Sequence, residues 1–60
     1  MTTIWTAAEL KRASAVCAAE VERLRAQGTP ERELEARRMA LDTLRRLLAE
    51  AEAREACARA

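Results

Sequence analysis

The stretch RAQGTPERE, residues 25–33, holds the only glycine and the only proline of a chain of 60 residues. Gly28 suits the left-handed position that follows a helix C-terminus, because it has no Cβ to clash with the backbone. Thr29 suits the N-cap of a following helix, and Pro30 suits its first position, where a missing N–H is harmless. These residues predict that one helix ends and another begins within a few positions.

The segments on either side of this turn read as helices. In WTAAEL, residues 5–10, Thr6 and Glu9 have the spacing of a capping box, and Trp5 and Leu10 have the spacing of a hydrophobic staple. The first helix is therefore predicted over residues 7–27. The residues after Pro30 are mostly alanine, leucine, glutamate and arginine, which are the strongest helix formers, so a second helix is predicted over residues 30–59.

A connection this short makes the two helices antiparallel. Apolar residues recur at spacings of three and four along one face of each helix, and these faces should meet. The sequence thus predicts an all-α fold, in which a single domain over residues 1–60 forms an antiparallel helical hairpin. The predicted core residues are Leu10, Cys17, Val21, Leu24, Leu34, Leu41, Leu44 and Leu48.

The size of the chain favours self-association. A chain of 60 residues buries little apolar surface by itself. The first helix also has a second line of small residues opposite its apolar face, where they either admit another helix or simply fill a solvated surface. These residues are Ala8, Ala15, Ala19 and Ala26. We therefore expect a homodimer in which two hairpins form an antiparallel four-helix bundle.

The apolar face of the second helix carries most of its leucines, and we call it the leucine face. Two ionisable residues, Arg37 and Glu55, fall at the centre of this face. A charge at such a position needs a partner or access to water. Folding the chain about residues 28 and 29 places Arg37 level with Glu20, so one prediction is an Arg37–Glu20 ion pair and the other is that Arg37 extends to solvent. Glu55 is expected to lack a counterpart, because residues 52–60 extend beyond the start of the first helix.

The chemistry of the chain argues against catalysis. Histidine and tyrosine are absent, and the carboxylates alternate with arginines along the helices. The sequence has no glycine-rich phosphate loop, nucleophile elbow or cluster of metal ligands. We therefore expect no enzymatic activity, no cofactor, no metal and no small-molecule substrate.

Cysteine usage and hydropathy indicate a cytoplasmic chain. Cys17 and Cys57 are 40 positions apart, which fits neither a zinc site nor a disulfide framework, so both are predicted to be free thiols. Cys17 is expected in the core, whereas an exposed Cys57 has the alternative of an intermolecular disulfide. No segment reaches the roughly 20 apolar residues of a membrane span.

The leading functional hypothesis is a protein-interaction module, a small homodimeric hairpin that acts as an inhibitor or adaptor of another protein. Chains this small and rich in alanine can come from phages or mobile elements that inhibit host machinery, and such an origin is an expectation from size. Trp5 is either a staple against Leu10 or a contact anchor, since tryptophan is enriched at interfaces. Met39 is apolar and lies off the leucine face. The residues predicted to contact a partner are Trp5, Arg38, Met39, Arg45 and Arg46.

The alternative hypothesis is RNA binding. Eleven basic and ten acidic residues alternate, so the formal net charge of +1 gives no long-range attraction to nucleic acid or membrane. Arg38 and Arg45, however, lie within about 20° of each other around the helix and could contact phosphates from one side. In size and hairpin plan the chain resembles plasmid repressor-of-primer proteins, which are dimeric four-helix bundles that bind paired RNA loops. The resemblance implies a small dimeric RNA-binding regulator.

Overall fold

The computed structural model describes residues 5–59 and contains two helices, α1 (Ala7–Ala26) and α2 (Glu31–Arg59). The helices pack against each other in an antiparallel hairpin, which confirms the predicted all-α fold. The molecule measures 46 × 20 × 16 Å. The 29 residues of α2 alone span about 44 Å, so this helix accounts for nearly the whole long axis of the molecule. Neither described helix carries an apolar run of the length that crossing a membrane requires.

The start of α1 is fixed by the predicted capping box. Thr6 is the N-cap in an extended conformation, and its hydroxyl accepts a hydrogen bond from the Glu9 backbone N–H at 3.2 Å. The Glu9 carboxylate in turn accepts from the Thr6 backbone N–H at 2.9 Å. Two backbone donors that the first helical turn leaves unpaired are therefore satisfied locally.

The chain reverses at Gly28, which has a φ of 81°. The Gly28 N–H donates to the carbonyl of Arg25, and the Thr29 N–H donates to the carbonyl of Leu24, both at 3.1 Å. This pair of bonds is a Schellman motif, and it requires the left-handed conformation that glycine adopts without strain. Helix α1 ends one residue earlier than predicted, with Gln27 as its C-cap.

Helix α2 begins one residue later than predicted. Its first bond of helical spacing runs from the Leu34 N–H to the carbonyl of Pro30 at 3.2 Å. Pro30, and not Thr29, therefore occupies the position before the first helical residue, Glu31. Because proline has no backbone N–H, Pro30 at this position leaves no donor of its own unpaired.

The seam between the helices is narrow. Of residues 5–59, those that are buried are Leu10, Ser14, Val21, Leu34, Leu41 and Ala51. The other predicted core residues are only half-buried, and they are Cys17, Leu24, Leu44 and Leu48. Each helix of a two-helix hairpin is covered on one side only, so residues at the edge of the seam keep contact with water.

Ser14 is a core position that the sequence analysis missed. It lies one turn after Leu10 and two turns before Val21, which are both buried. Its hydroxyl donates to the carbonyl of Leu10 at 2.8 Å, so the buried polar group is satisfied within its own helix. The small serine side chain fills a seam position where the pattern of leucine and valine gives no signal.

Glu55 ties the end of α2 to the start of α1. Its carboxylate accepts a hydrogen bond from the Ala7 backbone N–H at 2.7 Å, across 48 positions of sequence. The expectation that Glu55 lacks a counterpart was wrong, because its partner is a backbone group and not a side chain. A carboxylate at this place also suits the positive end of the α1 dipole.

The predicted ion pair between Arg37 and Glu20 is absent. Glu20 instead pairs with Arg23, one turn further along α1. Arg37 is exposed, and among residues 5–59 no ion pair within 4.0 Å joins it to Glu20. Arg23 reaches Glu20 along one helix without crossing the seam, which leaves the Arg37 side chain free to extend into water.

Replacing Gly28 tests the turn. A Cβ at this position meets no heavy atom within 4 Å, so the cost of Gly28→Ala comes from the positive φ alone. We expect the free energy of unfolding to fall by about 1 kcal/mol. The measurement is urea unfolding followed by circular dichroism at one protein concentration. D-alanine, introduced by chemical synthesis, should restore the stability, and an L-alanine variant as stable as the wild type would contradict the assignment.

Replacing Glu55 tests the contact between the helix ends. Glu55→Ala leaves the Ala7 N–H without its carboxylate, and we expect a loss of about 1–2 kcal/mol in the free energy of unfolding. Glu52→Ala is the control, because Glu52 is exposed one turn earlier on α2. The same urea titration measures both variants. Equal losses for Glu55 and Glu52 would show that the bond to Ala7 contributes nothing specific.

Acid titration tests the capping box. The hydrogen bonds from the backbone and side chain of Thr6 lower the pKa of Glu9 below its ordinary value of 4.5. A lowered folded-state pKa stabilises the fold above the unfolded-state value, and this contribution disappears as pH falls through the folded-state pKa. We expect Thr6→Ala to raise the Glu9 pKa in carboxyl NMR titrations, whereas Thr43→Ala should leave it unchanged. The stability difference between Thr6→Ala and the wild type should narrow as pH falls below 4.5. A constant difference would be evidence against the assignment.

Candidate interaction surfaces

A groove of about 650 Å³ follows one flank of the hairpin, and we call it the valine groove. It is lined by Trp5, Glu9, Arg12, Ala13, Val16, Cys17, Glu20 and Arg37. Val16 is 69% exposed although it lies in the middle of α1. The Cys17 thiol lies 3.9 Å from the backbone carbonyl of Arg37, which places these two residues where the helices meet.

The flank continues along α2 beyond the groove. A second hollow of about 450 Å³ shares Cys17 and Arg37 with the groove and adds Glu33, Ala36 and Ala40. Leu47 follows Ala40 by two turns on the same stripe of α2 and is 43% exposed. Small and apolar side chains from both helices therefore form one side of the molecule.

The valine groove carries charges of both signs. Glu20 is paired with Arg23 within α1, and Glu9 is held by Thr6. Arg12, by contrast, has no carboxylate within 4.0 Å among residues 5–59. Its guanidinium is thus available to a carboxylate of another molecule.

The opposite flank forms a smaller cleft of about 320 Å³, which we call the arginine cleft. It is lined by Ala18, Val21, Glu22, Arg38, Leu41, Asp42 and Arg45. Arg38 donates to the Glu31 carboxylate at 2.7 Å, and this hydrogen bond, with the charge of Glu31, raises the pKa of Arg38. Arg38 and Arg45 do share a cleft, but carboxylates accompany them there.

The third surface is the methionine patch, formed by Met39, Asp42, Thr43 and Arg46. Met39 is 64% exposed, and the Thr43 hydroxyl donates to its carbonyl at 3.1 Å. Met39 comes two positions before the buried Leu41, so it lies about 160° away around α2 and faces away from α1. The patch is therefore on the back of the hairpin.

The residues predicted to contact a partner lie on different surfaces. Trp5 lines the valine groove, Arg38 and Arg45 line the arginine cleft, and Met39 and Arg46 form the methionine patch. The cleft and the patch share Asp42 and are adjacent. Val16 and Leu47 are not among the residues predicted to contact a partner, although both are apolar and exposed. The sequence signal available for such a contact residue was an apolar side chain outside the apolar face of its helix, as at Val16.

The cysteines remain separate in the structure. Cys17 is half-buried, Cys57 is exposed, and both are free thiols. Within residues 5–59, no three side chains of the types that bind metals form a cluster able to hold an ion. Compared with known protein families, curated proteins and solved structures, the chain matches none.

Proposed function

We propose that the chain is a non-enzymatic protein-interaction module. In this proposal it is a small homodimeric hairpin that binds another protein and inhibits or bridges it. The observation that carries the proposal is the amount of apolar surface that the fold leaves outside its seam. In the described part of the chain, four large apolar side chains keep 43–69% of their surface exposed, and they are Trp5, Val16, Met39 and Leu47. Trp5, Val16 and Leu47 share one flank of the hairpin, and in so small a chain exposed apolar side chains that share one surface favour contact with other proteins.

The exposed side chains fall on two surfaces, which supports a division of roles. Val16 and Trp5 belong to the valine groove, whereas Met39 lies on the back of α2. One surface can hold a second copy of the chain, as in an antiparallel four-helix bundle, while the other remains open. We assign the methionine patch to the partner protein. The proposal also places the protein in the cytoplasm, where free thiols such as Cys17 and Cys57 stay reduced.

The residues of the methionine patch indicate the chemistry of the partner surface that would bind there. The flexible thioether of Met39 adapts to irregular apolar pockets. Arg46 has no carboxylate within 4.0 Å among residues 5–59. We therefore propose a partner surface with an apolar pocket beside a carboxylate, with Arg38 and Arg45 at the edge of the contact.

RNA binding is less well supported. Glu31 holds Arg38, and Glu22 and Asp42 lie in the cleft beside Arg45. These carboxylates reduce the positive potential that a phosphate backbone needs. Trp5 is the only aromatic residue available for stacking on a base.

The test compares two glutamate substitutions on exposed faces of α2. Met39→Glu places a charge in the proposed contact, and Ala53→Glu is the matched control further along the helix. Each variant is used to capture proteins from a nuclease-treated extract of the source cell, and a captured protein is then purified for calorimetric titration. We expect Met39→Glu to weaken its binding by about tenfold or more, since a charge would be buried against an apolar pocket. Ala53→Glu should bind like the wild type.

Other outcomes would contradict the proposal. Equal binding by Met39→Glu and the wild type would remove the methionine patch from the contact. A ligand that is captured only from an extract without nuclease treatment, with an affinity that falls steeply as salt is raised, would favour the RNA alternative. A protein held by apolar contacts should depend much less on salt.

A further inference from the structure

The face of α1 that surrounds Val16 has a symmetric pattern of charge. Three positions to either side of Val16 are Ala13 and Ala19, and four positions to either side are Arg12 and Glu20. Residues at spacings of three and four lie on one face of a helix. Small side chains therefore flank Val16 at equal distances. The positive charge of Arg12 on one side lies as far from Val16 as the negative charge of Glu20 on the other.

The symmetry extends one turn further. Seven positions to either side of Val16 are Glu9 and Arg23, again of opposite charge. Two copies of a helix related by a two-fold axis perpendicular to the helix run antiparallel, and each residue before the axis faces the residue equally far beyond it in the other copy. With the axis at Val16, Arg12 of each copy faces Glu20 of the other, and Glu9 faces Arg23.

We propose that α1 packs antiparallel against α1 of a second copy, with Val16 at the two-fold axis and the valine groove closed by the interface. This inference rests on the homodimer of the proposed function and names its surface. Ala13 and Ala19 allow the two backbones to approach closely. Arg12 gains the carboxylate partner that residues 5–59 of its own chain do not provide.

The charge pattern of α1 favours an antiparallel second copy over a parallel one. A parallel pair of α1 helices would place Arg12 against Arg12 and Glu20 against Glu20, and such like-charge contacts disfavour that arrangement. A standard interface buries about 800 Å² on each partner, about a sixth of the 4924 Å² that this chain exposes. Ala40 and Leu47 are exposed and continue the flank along α2, so they are available to widen the contact.

Charge reversal tests the interface. Arg12→Glu creates two contacts between glutamates in the symmetric dimer, and Glu20→Arg creates two contacts between arginines. Each should raise the dimer dissociation constant about tenfold or more, measured by sedimentation equilibrium. Lys11→Glu and Glu22→Arg are matched controls, because they reverse neighbouring charges away from the Val16 face. Glu22→Arg also removes a pair with Arg25 of the same spacing as the Glu20–Arg23 pair. The controls should change the constant less than about threefold.

Mixing the two reversed chains gives the decisive measurement. In a heterodimer of Arg12→Glu with Glu20→Arg, both contacts between the chains join opposite charges again. We therefore expect the mixture to form a one-to-one dimer with nearly the affinity of the wild type, while each variant alone stays mostly monomeric. Circular dichroism is used to check that every variant remains helical.

The outcomes separate this inference from the proposed function. A wild-type dimer that the reversals do not weaken, or a mixture that fails to restore dimerisation, would overturn the interface and leave the homodimer standing. A wild type that remains monomeric at the highest concentration would overturn the homodimer and leave the valine groove to a different protein. Binding at the methionine patch is measured separately and can succeed or fail in either case.

Discussion

The reversal of the chain at Gly28 is the constraint on which the rest of the structure depends. The positive φ of this residue allows Gly28 and Thr29 to donate back to the last turn of α1. Because only four residues, 27–30, separate the helices, α2 must return along α1. The order of contacts along the seam follows from that return. It also brings the end of α2 to the start of α1, where Glu55 finds the Ala7 N–H.

A hairpin has a single seam, and this fact explains where function can lie. Each helix covers the other on one side only, so apolar side chains beyond the seam must stay in water or meet another molecule. Among residues 5–59, Val16 and Met39 are the most exposed of the large apolar residues, and they lie on different surfaces. The proposed dimer and the proposed partner contact therefore need not compete for one face.

Some charged side chains of the hairpin have hydrogen-bond or ion-pair partners within the fold, and others remain available to another molecule. Glu9 and Glu55 satisfy backbone donors at the start of α1, and Arg38 is held by Glu31. Arg12 in the valine groove and Arg46 in the methionine patch have no such partner within residues 5–59. Each of the two proposed contact surfaces thus offers at least one arginine to a carboxylate of another molecule.

The sequence by itself determined the helices and their reversal, because the capping box and the Gly-Thr-Pro turn act between residues that are close in the chain. Both helices therefore matched their predicted limits to within one residue. Only the tertiary structure decided the partner of Glu55, the loss of the Arg37–Glu20 pair and the partial exposure of Cys17. These outcomes depend on the rotation and offset of one helix against the other, and no local pattern sets either. Exposure at Val16 likewise depends on where the seam ends.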